Sequence, residues 1–267
     1  MFRLHVEKTM LPKGALKHKV AIITGGGTGL GKAMAIEFAK LGAHIVIASR
    51  NKENLETAAE EIGKYSTQVL AVPTDVRDYD QVQNMVQKTV DTFGGIHILV
   101  NNAGANFKVP ALEMSKNAWN AVVNIVLNGT WYCSQLVGRQ MAKQGGGVIL
   151  NIGSVSAWNG RPLNAHSSAA KAGVLALTRT LAVEWAPYGI RVNMLTPGPI
   201  EGTGAAVQLW NSPEEAQRVV EGIPLKRFGT KQELASLASY LVSDYAAFVT
   251  GACFVMDGGG WLNKVRF

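Results

Sequence analysis

A glycine-rich turn, VAIITGGGTGLGKA at residues 20–33, constrains the fold of this chain more than any other stretch. Four apolar residues come first, glycines follow, and residues 30–41 carry apolar side chains at helical spacing, so the segment predicts a strand, a tight turn and a helix. Gly25 can turn the chain at positive φ, Gly29 lacks the Cβ that would block a phosphate, and Gly31 lets the helix lie close to the strand. The unpaired N–H groups at the helix N-terminus then face the phosphates. The stretch therefore predicts the first βαβ unit of a dinucleotide-binding fold.

The composition favours one α/β domain. The chain has 267 residues, of which 47% are hydrophobic, enough for a single sizeable core. The formal charge is +7, but the Lys and Arg residues are scattered rather than collected in blocks, which argues against nucleic acid as a partner. Cys133 and Cys253 lack metal-ligand spacing, so we expect free thiols, a reducing compartment and no metal. Because no apolar run has the length of a signal or membrane segment, we expect a cytoplasmic protein. The regular apolar pattern begins only after the first residues, so we expect an N-terminal extension at residues 1–16 and one domain at residues 17–267.

Strands and helices alternate along the rest of the sequence. Strands are expected at residues 20–24, 44–49, 68–72, 97–100, 147–152, 191–195 and 253–256, and helices at 30–41, 54–62, 82–93, 118–143 and 166–186. This alternation predicts a single-domain, Rossmann-type, doubly wound seven-stranded parallel sheet with helices on both faces. Residues 198–224 form the longest irregular region and are expected to make a loop or short-helix flap over a pocket.

The end of the second strand predicts the choice of cofactor. An acidic residue at this point would bind the ribose 2′-hydroxyl of NAD, but the strand HIVIAS ends at Ser49 and Arg50 follows. A guanidinium beside a hydroxyl suits a 2′-phosphate. We therefore expect NADPH, the alternative being that Arg50 is an ordinary surface charge.

Two further strand ends carry polar residues where such folds bind ligands. Asp75 and Val76 follow the third strand, and Asp75 either accepts a hydrogen bond from the adenine amino group or caps the next helix. The fourth strand runs into Asn101, Asn102, Ala103 and Gly104. These residues either bind the cofactor or stabilise the strand end by side-chain bonds to the backbone.

Taken together, these motifs resemble the short-chain dehydrogenase/reductase family. The match consists of the TGxxxGxG turn from Thr24, the NNAG strand end, Ser154, Lys171 and the turn at Pro197 and Gly198, and it extends over residues 17–260. The resemblance implies that the ammonium of Lys171 binds the nicotinamide ribose. The residues expected to contact the dinucleotide are Thr24, Gly25, Gly27, Thr28, Gly29, Leu30, Gly31, Ser49, Arg50, Asp75, Val76, Asn102, Ala103, Gly104, Lys171, Pro197, Gly198 and Ile200.

One residue departs from the family pattern. Members of the family normally carry Tyr four residues before the active-site Lys, and here that residue is Ser167. An aliphatic hydroxyl has a pKa far above the phenol value of about 10, so it does not readily replace a tyrosinate. Ordinary ketone reduction is therefore disfavoured, unless the preceding His166 supplies the proton; as an alternative, His166 is a cap or surface residue.

The sequence is most similar to one branch that lacks this Tyr and keeps the Lys, the 2,4-dienoyl-CoA reductases. Similar stretches include GGGTGLGKAM, IASR, NNAGANF, NIVLNGT, HSSAAKAG, LAVEWAPYGIRVN and PGPIEGTGA. The resemblance implies NADPH-dependent reduction of a conjugated dienoyl thioester in unsaturated fatty-acid β-oxidation. Such a reaction forms a dienolate, so hydrogen-bond donors must stabilise charge on the thioester oxygen while water protonates carbon.

The resemblance implies that the catalytic residues are Asn128, Ser154, Ser167 and Lys171. Asn128 matches a position that helps to hold the thioester in mitochondrial-type enzymes, although a helix-interior role bonded to a carbonyl is an alternative. A Tyr found in some relatives is replaced here by Ser156, and an Asp found in peroxisomal-type relatives is replaced by Val126. The chain therefore fits neither pattern completely.

The substrate side and the assembly are less constrained by the sequence. Apolar residues either wall an acyl channel or belong to the core: Phe107, Trp158, Met194 and Trp210. Lys108 and Arg161 are candidates for binding the anionic CoA end. By analogy with relatives we expect a homo-oligomer, a tetramer formed through the two long helices. Two other functions remain open: a reductase of other keto or acyl-thioester substrates, and an inactive NADPH-binding protein.

Overall fold

Apolar runs rich in Val and Ile form a parallel β-sheet in the computed structural model, which describes residues 9–65, 68–203 and 212–263. Within these residues the strands are β1 (Val20–Thr24), β2 (His44–Ser49), β3 (Val69–Pro73), β4 (Ile98–Asn101), β5 (Gly147–Ile152), β6 (Ile190–Pro197) and β7 (Cys253–Met256). Their order is β3-β2-β1-β4-β5-β6-β7, and every neighbouring pair is parallel. Strands covered on both faces need continuous apolar sequence, which explains why β1 and β2 contain so few polar residues.

Helices cover both faces of the sheet. They are α1 (Gly29–Lys40), α2 (Lys52–Gly63), α3 (Tyr79–Phe93), α4 (Lys116–Val123), α5 (Gly129–Lys143), α6 (Ala165–Glu184), α7 (Pro213–Gly222) and α8 (Lys231–Val242). One core joins the sheet to α1, α2 and α8, and a second joins it to α3, α5 and α6. The predicted doubly wound architecture is confirmed. No helix within the described ranges combines the length and apolar character needed to cross a bilayer.

The strand order reverses between β1 and β4. The chain moves outward from β1 to β3 and then returns to the other side of β1, so the loops that leave β1 and β4 turn to opposite faces of the sheet at its carboxyl edge. In open α/β sheets the space between two such loops is the ligand-binding crevice. The glycine-rich turn and the NNAG turn therefore form the two sides of one crevice.

The structure differs from the sequence-based expectation at several places, among them α8, which was not in the expected set of helices. The helix expected over residues 118–143 contains a π-helical turn, Asn124–Asn128, between α4 and α5. The irregular region includes α7, while residues 204–211, and with them the proposed channel residue Trp210, lie outside the described residues. Leu16, assigned to the N-terminal extension, is fully buried in the core, and its N–H donates to the Leu41 carbonyl at 3.0 Å.

Candidate active site

The glycine-rich turn has the shape that a bound phosphate requires. Gly25 has φ +64° and Gly29 has φ +56°, values that L side chains rarely adopt. A Cβ on Gly31 would clash with the Gly25 carbonyl oxygen, whereas one on Gly29 would meet no atom within 4 Å. Thr28 precedes α1 without capping it through its side chain. The first turn of α1 therefore presents N–H groups to open space, an arrangement that fits a pyrophosphate.

Thr24 and Asn102 fasten the two sides of the crevice together. The Thr24 hydroxyl donates to the Val100 carbonyl at 3.2 Å and accepts the N–H groups of Asn102 and Ala103, each at 3.0 Å. The Asn102 amide returns two bonds, to the carbonyls of Thr24 at 2.9 Å and Gly25 at 3.3 Å. Both polar side chains, which we predicted as cofactor contacts, are thus engaged in reciprocal bonds between the ends of β1 and β4.

The end of β2 presents a cation to solvent beside the turn. Arg50 is exposed, and the neighbouring Ser49 hydroxyl donates to the Asn51 carbonyl at 3.4 Å. Asn51 caps α2 by accepting the Asn54 N–H at 2.8 Å. Lys52 differs from Arg50 because it pairs with Glu56 at 3.5 Å.

Asp75 makes an ion pair instead of capping a helix. Its carboxylate accepts Nε and Nη2 of Arg77, and this bonding lowers the carboxyl pKa below its ordinary value. Asp78 caps α3 by accepting the N–H groups of Asp80 and Gln81, so the alternative prediction that Asp75 is the cap is wrong. Val76 is buried against Gly129, where an added Cβ would lie 2.7 Å from the Val76 side chain.

Lys171 and three serines lie at the ends of β5 and α6. The Lys171 ammonium donates to the Ile152 carbonyl at 2.5 Å, and burial lowers the pKa of Lys171 to about 8. The Ser156 hydroxyl donates to Ser154 Oγ at 3.0 Å. Ser167 is buried one helical turn before Lys171. Ser167 and Lys171 therefore share one face of α6, and Ser154 follows the end of β5; their catalytic roles stay predictions.

His166 is buried rather than a surface residue. Its Nδ1 accepts the Ser167 N–H at 2.8 Å, and its ring packs edge-to-face on Phe107 with the centroids 4.7 Å apart. Burial is the largest influence on the pKa of His166 and lowers it, against a smaller raising effect of a backbone hydrogen bond at Asn164. The other ring nitrogen is Nε2. That atom is buried and has no hydrogen-bond partner within the described residues.

The π-helical turn places Asn128 among residues that pack on neighbouring elements. Val126 lies beside Gly104, Leu127 packs against Gly173 of α6, and Gly129 packs against Val76. The Asn128 amide donates to Asn124 Oδ1 at 2.9 Å, not to a backbone carbonyl. The thioester role of Asn128 stays a prediction.

Two loops, residues 102–115 after β4 and 153–164 after β5, meet over the same edge of the sheet. Val109 N–H donates to the Leu163 carbonyl at 3.0 Å, and Asn106 Nδ2 donates to Asn164 Oδ1 at 2.7 Å. Sequence reasoning missed Asn106, although it stands two residues beyond the NNAG turn that it extends. The exposed candidates Lys108 and Arg161 lie on these two loops.

Of the other predicted residues, Gly198 and Ile200 lie at the carboxyl edge of the sheet, whereas Met194 belongs to the hydrophobic core. Gly198 N–H donates to the Met256 carbonyl at 2.8 Å, and Ile200 is buried and bridged to Gly229, so the segment that starts at Pro197 lies across the end of β7. Met194 is fully buried in the core behind Gly153 and does not line a channel.

The comparisons agree with this geometry. A family model described as enoyl-(acyl carrier protein) reductase matches residues 25–260. A probable 2,4-dienoyl-CoA reductase [(2E)-enoyl-CoA-producing] of Bacillus subtilis is 47% identical over 94% of this chain and 100% of its own. A peroxisomal 2,4-dienoyl-CoA reductase [(3E)-enoyl-CoA-producing] of Danio rerio is 40% identical over 94% and 84%.

A solved structure extends the similarity to the fold. The crystal structure of a short chain dehydrogenase from Bacillus anthracis superimposes with a TM-score of 0.86 and 49% identity, over 94% of this chain and all of that one. With its glycine-rich turn, its NNAG strand end and its serine–lysine arrangement on one parallel sheet, the chain belongs to the short-chain dehydrogenase/reductase family.

Proposed function

We propose that this chain is an NADPH-dependent reductase of 2,4-dienoyl-CoA thioesters that acts in unsaturated fatty-acid β-oxidation. The observation that carries the proposal is Ser167, a buried hydroxyl without the reach or acidity of a phenol, in a site that otherwise keeps Lys171 and the dinucleotide crevice. Relatives named as dienoyl-CoA reductases support the substrate class.

The choice of NADPH rests on the end of β2. Arg50 is exposed beside Ser49 and the open first turn of α1, where a guanidinium can donate two parallel hydrogen bonds to the 2′-phosphate. The bound cofactor supplies the hydride. The chain's own task at this end is to hold the adenosine half so that the nicotinamide half reaches β4 and β5.

At the other end, the residues must stabilise negative charge on the thioester oxygen. Lys171 raises the local positive potential and binds the nicotinamide ribose. Asn128 and Asn106 are the two carboxamide candidates for donating to the thioester, because each gives one amide hydrogen to another Asn and keeps a second. Ser154 and Ser167 add short hydroxyl donors. Protonation at carbon by water completes the reaction without an acid at position 167.

A paired assay tests the function. NADPH absorbance is followed with 2,4-hexadienoyl-CoA and with acetoacetyl-CoA at equal concentrations. Positioned acid catalysis contributes about 10²–10⁴-fold, so the dienoyl thioester should be reduced far faster than the ketone. Faster reduction of the acetoacetyl thioester would instead support a ketoreductase that uses His166, whose replacement by Gln should then abolish turnover. NADPH binding with no turnover of either substrate would indicate a cofactor-binding protein without catalysis.

The two carboxamides provide a second test. Asn106→Leu should lower dienoyl-CoA turnover by about 10²-fold while NADPH affinity stays unchanged, as expected for loss of one donor to the oxyanion. Asn128→Leu is measured in parallel, because the Asn128 amide also keeps one hydrogen for a ligand. The variant that loses turnover at unchanged NADPH affinity identifies the donor, and full turnover in both variants excludes both carboxamides.

We also propose a cytoplasmic homotetramer built through α5 and α6. The proposal is by analogy with relatives, and an exposed apolar residue on α6, Val183, supports it.

A further inference from the structure

Unpartnered polar atoms cluster at one edge of the sheet. Eight buried side-chain polar atoms have no hydrogen-bond partner within the described residues. Five of them belong to the two loops over the serine–lysine site or to the first turn of α6: Asn106 Oδ1, Trp158 Nε1, Asn159 Nδ2, His166 Nε2 and Ser168 Oγ. A buried donor without an acceptor is destabilising, so this clustering indicates that a ligand supplies the missing partners.

Trp158 is the most restricted member of this group. An indole has a single N–H donor and no acceptor, so its unpartnered Nε1 can be satisfied only by an acceptor. Trp158 stands four residues after Ser154, in the loop that connects β5 to α6. The same loop begins with Ser154 and Ser156, so Trp158 belongs to the segment that carries these serines.

A second tryptophan fixes the orientation of the indole. Trp158 packs edge-to-face on Trp261, with ring centroids 5.7 Å apart. The backbone of Trp261 is anchored in turn, because the Asp257 carboxylate accepts the backbone N–H of Trp261 at 2.7 Å through Oδ2 and that of Gly259 at 2.9 Å through Oδ1. Gly258 and Gly259 lie at φ +65° and +85° against Ile223 and Pro224, so the segment that carries Trp261 is closely packed beneath the Trp158 ring.

We propose that the Trp158 indole N–H donates a hydrogen bond to the thioester oxygen of the acyl-CoA substrate, and that Trp261 holds the indole in the required orientation. The inference rests on the proposed function, since it concerns the oxygen on which that reaction develops charge. An N–H fixed before the substrate arrives stabilises this charge without reorganisation. Trp158 is then a catalytic residue, and Trp261 is a positioning residue.

The kinetic test uses Trp158→Phe, which keeps an aromatic ring against Trp261 and removes only the N–H. We expect kcat for 2,4-hexadienoyl-CoA to fall by about 10²-fold with little change in KM. The same loss should appear with the 2,4-hexadienoyl thioester of N-acetylcysteamine, which retains the thioester oxygen and lacks the nucleotide. A loss seen only with the CoA thioester, or no loss at all, overturns the proposal. Trp185→Phe is the matched control, since Trp185 is equally half-buried and lies just after α6 ends.

A spectroscopic measurement tests the bond without turnover. The chain has six tryptophans, and ¹⁵N-labelled indole signals can be assigned to Trp158 by their loss in Trp158→Phe. Addition of hexanoyl-CoA to the complex with NADP⁺ should move the Trp158 indole proton downfield and slow its exchange, and Trp261→Phe should reduce that shift. If calorimetry shows that hexanoyl-CoA binds while the signal stays unchanged, this inference alone fails. If no acyl-CoA binds, the proposed function fails with it.

Discussion

Lys171 carries its charge in surroundings that disfavour it. Its ammonium has one described acceptor, the Ile152 carbonyl, and burial lowers its pKa from 10.5 to about 8. The ribose hydroxyls of a bound cofactor would add acceptors, which favours the protonated form. Protonation of Lys171 and cofactor binding should therefore be coupled.

This coupling predicts a pH dependence of cofactor affinity. In the free protein Lys171 is protonated below about pH 8, whereas above that pH it must first take up a proton before it donates to the ribose as an ammonium. The dissociation constant of NADPH, measured by fluorescence between pH 6.5 and 9.5, should therefore stay constant up to about pH 8 and begin to rise above it. Lys171→Ala should bind weakly and show no such rise. A dissociation constant independent of pH in the unmutated protein would contradict the assignment.

The position of Arg50 predicts that the protein binds NADPH more tightly than NADH. Loss of a charge-assisted bond to the 2′-phosphate costs about 1.5–3 kcal/mol, so Arg50→Ala should weaken NADPH by roughly 10- to 100-fold and leave NADH unchanged. Titration of each cofactor gives both constants. Lys52→Ala is the control, because Lys52 is already paired with Glu56. Equal affinities for NADH and NADPH before mutation would contradict this assignment.

At the scale of elements, the contact between β1 and α1 depends on the absence of a side chain at one position. A Cβ on Gly31 would overlap the Gly25 carbonyl, whereas Gly63, in α2, has open space around its Cα. Gly31→Ala should therefore shift α1 and abolish cofactor binding. Gly63→Ala should leave binding intact and stabilise the fold by about 0.5–1 kcal/mol, because alanine loses less entropy in a helix. Cofactor titration and thermal unfolding of the two variants check both outcomes.

Sequence alone was sufficient for the strands and long helices, because apolar runs and helical spacing bound them closely. It did not predict the π-helical turn, since NIVLN keeps a helical apolar pattern and the extra residue is accommodated by packing of Leu127 on Gly173 and of Gly129 on Val76. The sequence also did not predict that Asp78 caps α3, because the ion pair that Asp75 forms with Arg77 is visible only in the structure.

The contact between Trp158 and Trp261 could not be predicted from the sequence either. Trp158 was recognised as a possible channel residue, but its neighbour comes from the far end of the sequence, after β7. Nothing local to either residue indicates the contact. Side chains brought together by the sheet order are visible only once that order is known.

At the scale of the whole molecule, the homotetramer that we propose by analogy with relatives places α6 at an interface. Val183 on this helix is 79% exposed and would be covered there. Val183→Asp should convert a tetramer into smaller species in analytical ultracentrifugation, while Leu112→Asp, which alters a fully exposed leucine elsewhere, should leave the mass unchanged. An unaltered mass for Val183→Asp would exclude this face from the assembly.

The reciprocal bonds between Thr24 and Asn102 affect how quickly the crevice can be filled. They use only groups of the chain, so the spacing of the glycine-rich and NNAG turns does not depend on a ligand to set it. Association then loses little backbone entropy, as expected for a preorganised site. Cofactor capture should be a single fast step limited by encounter rather than by rearrangement, and a longer residence time would have to arise from Arg50 and Lys171 at the two ends.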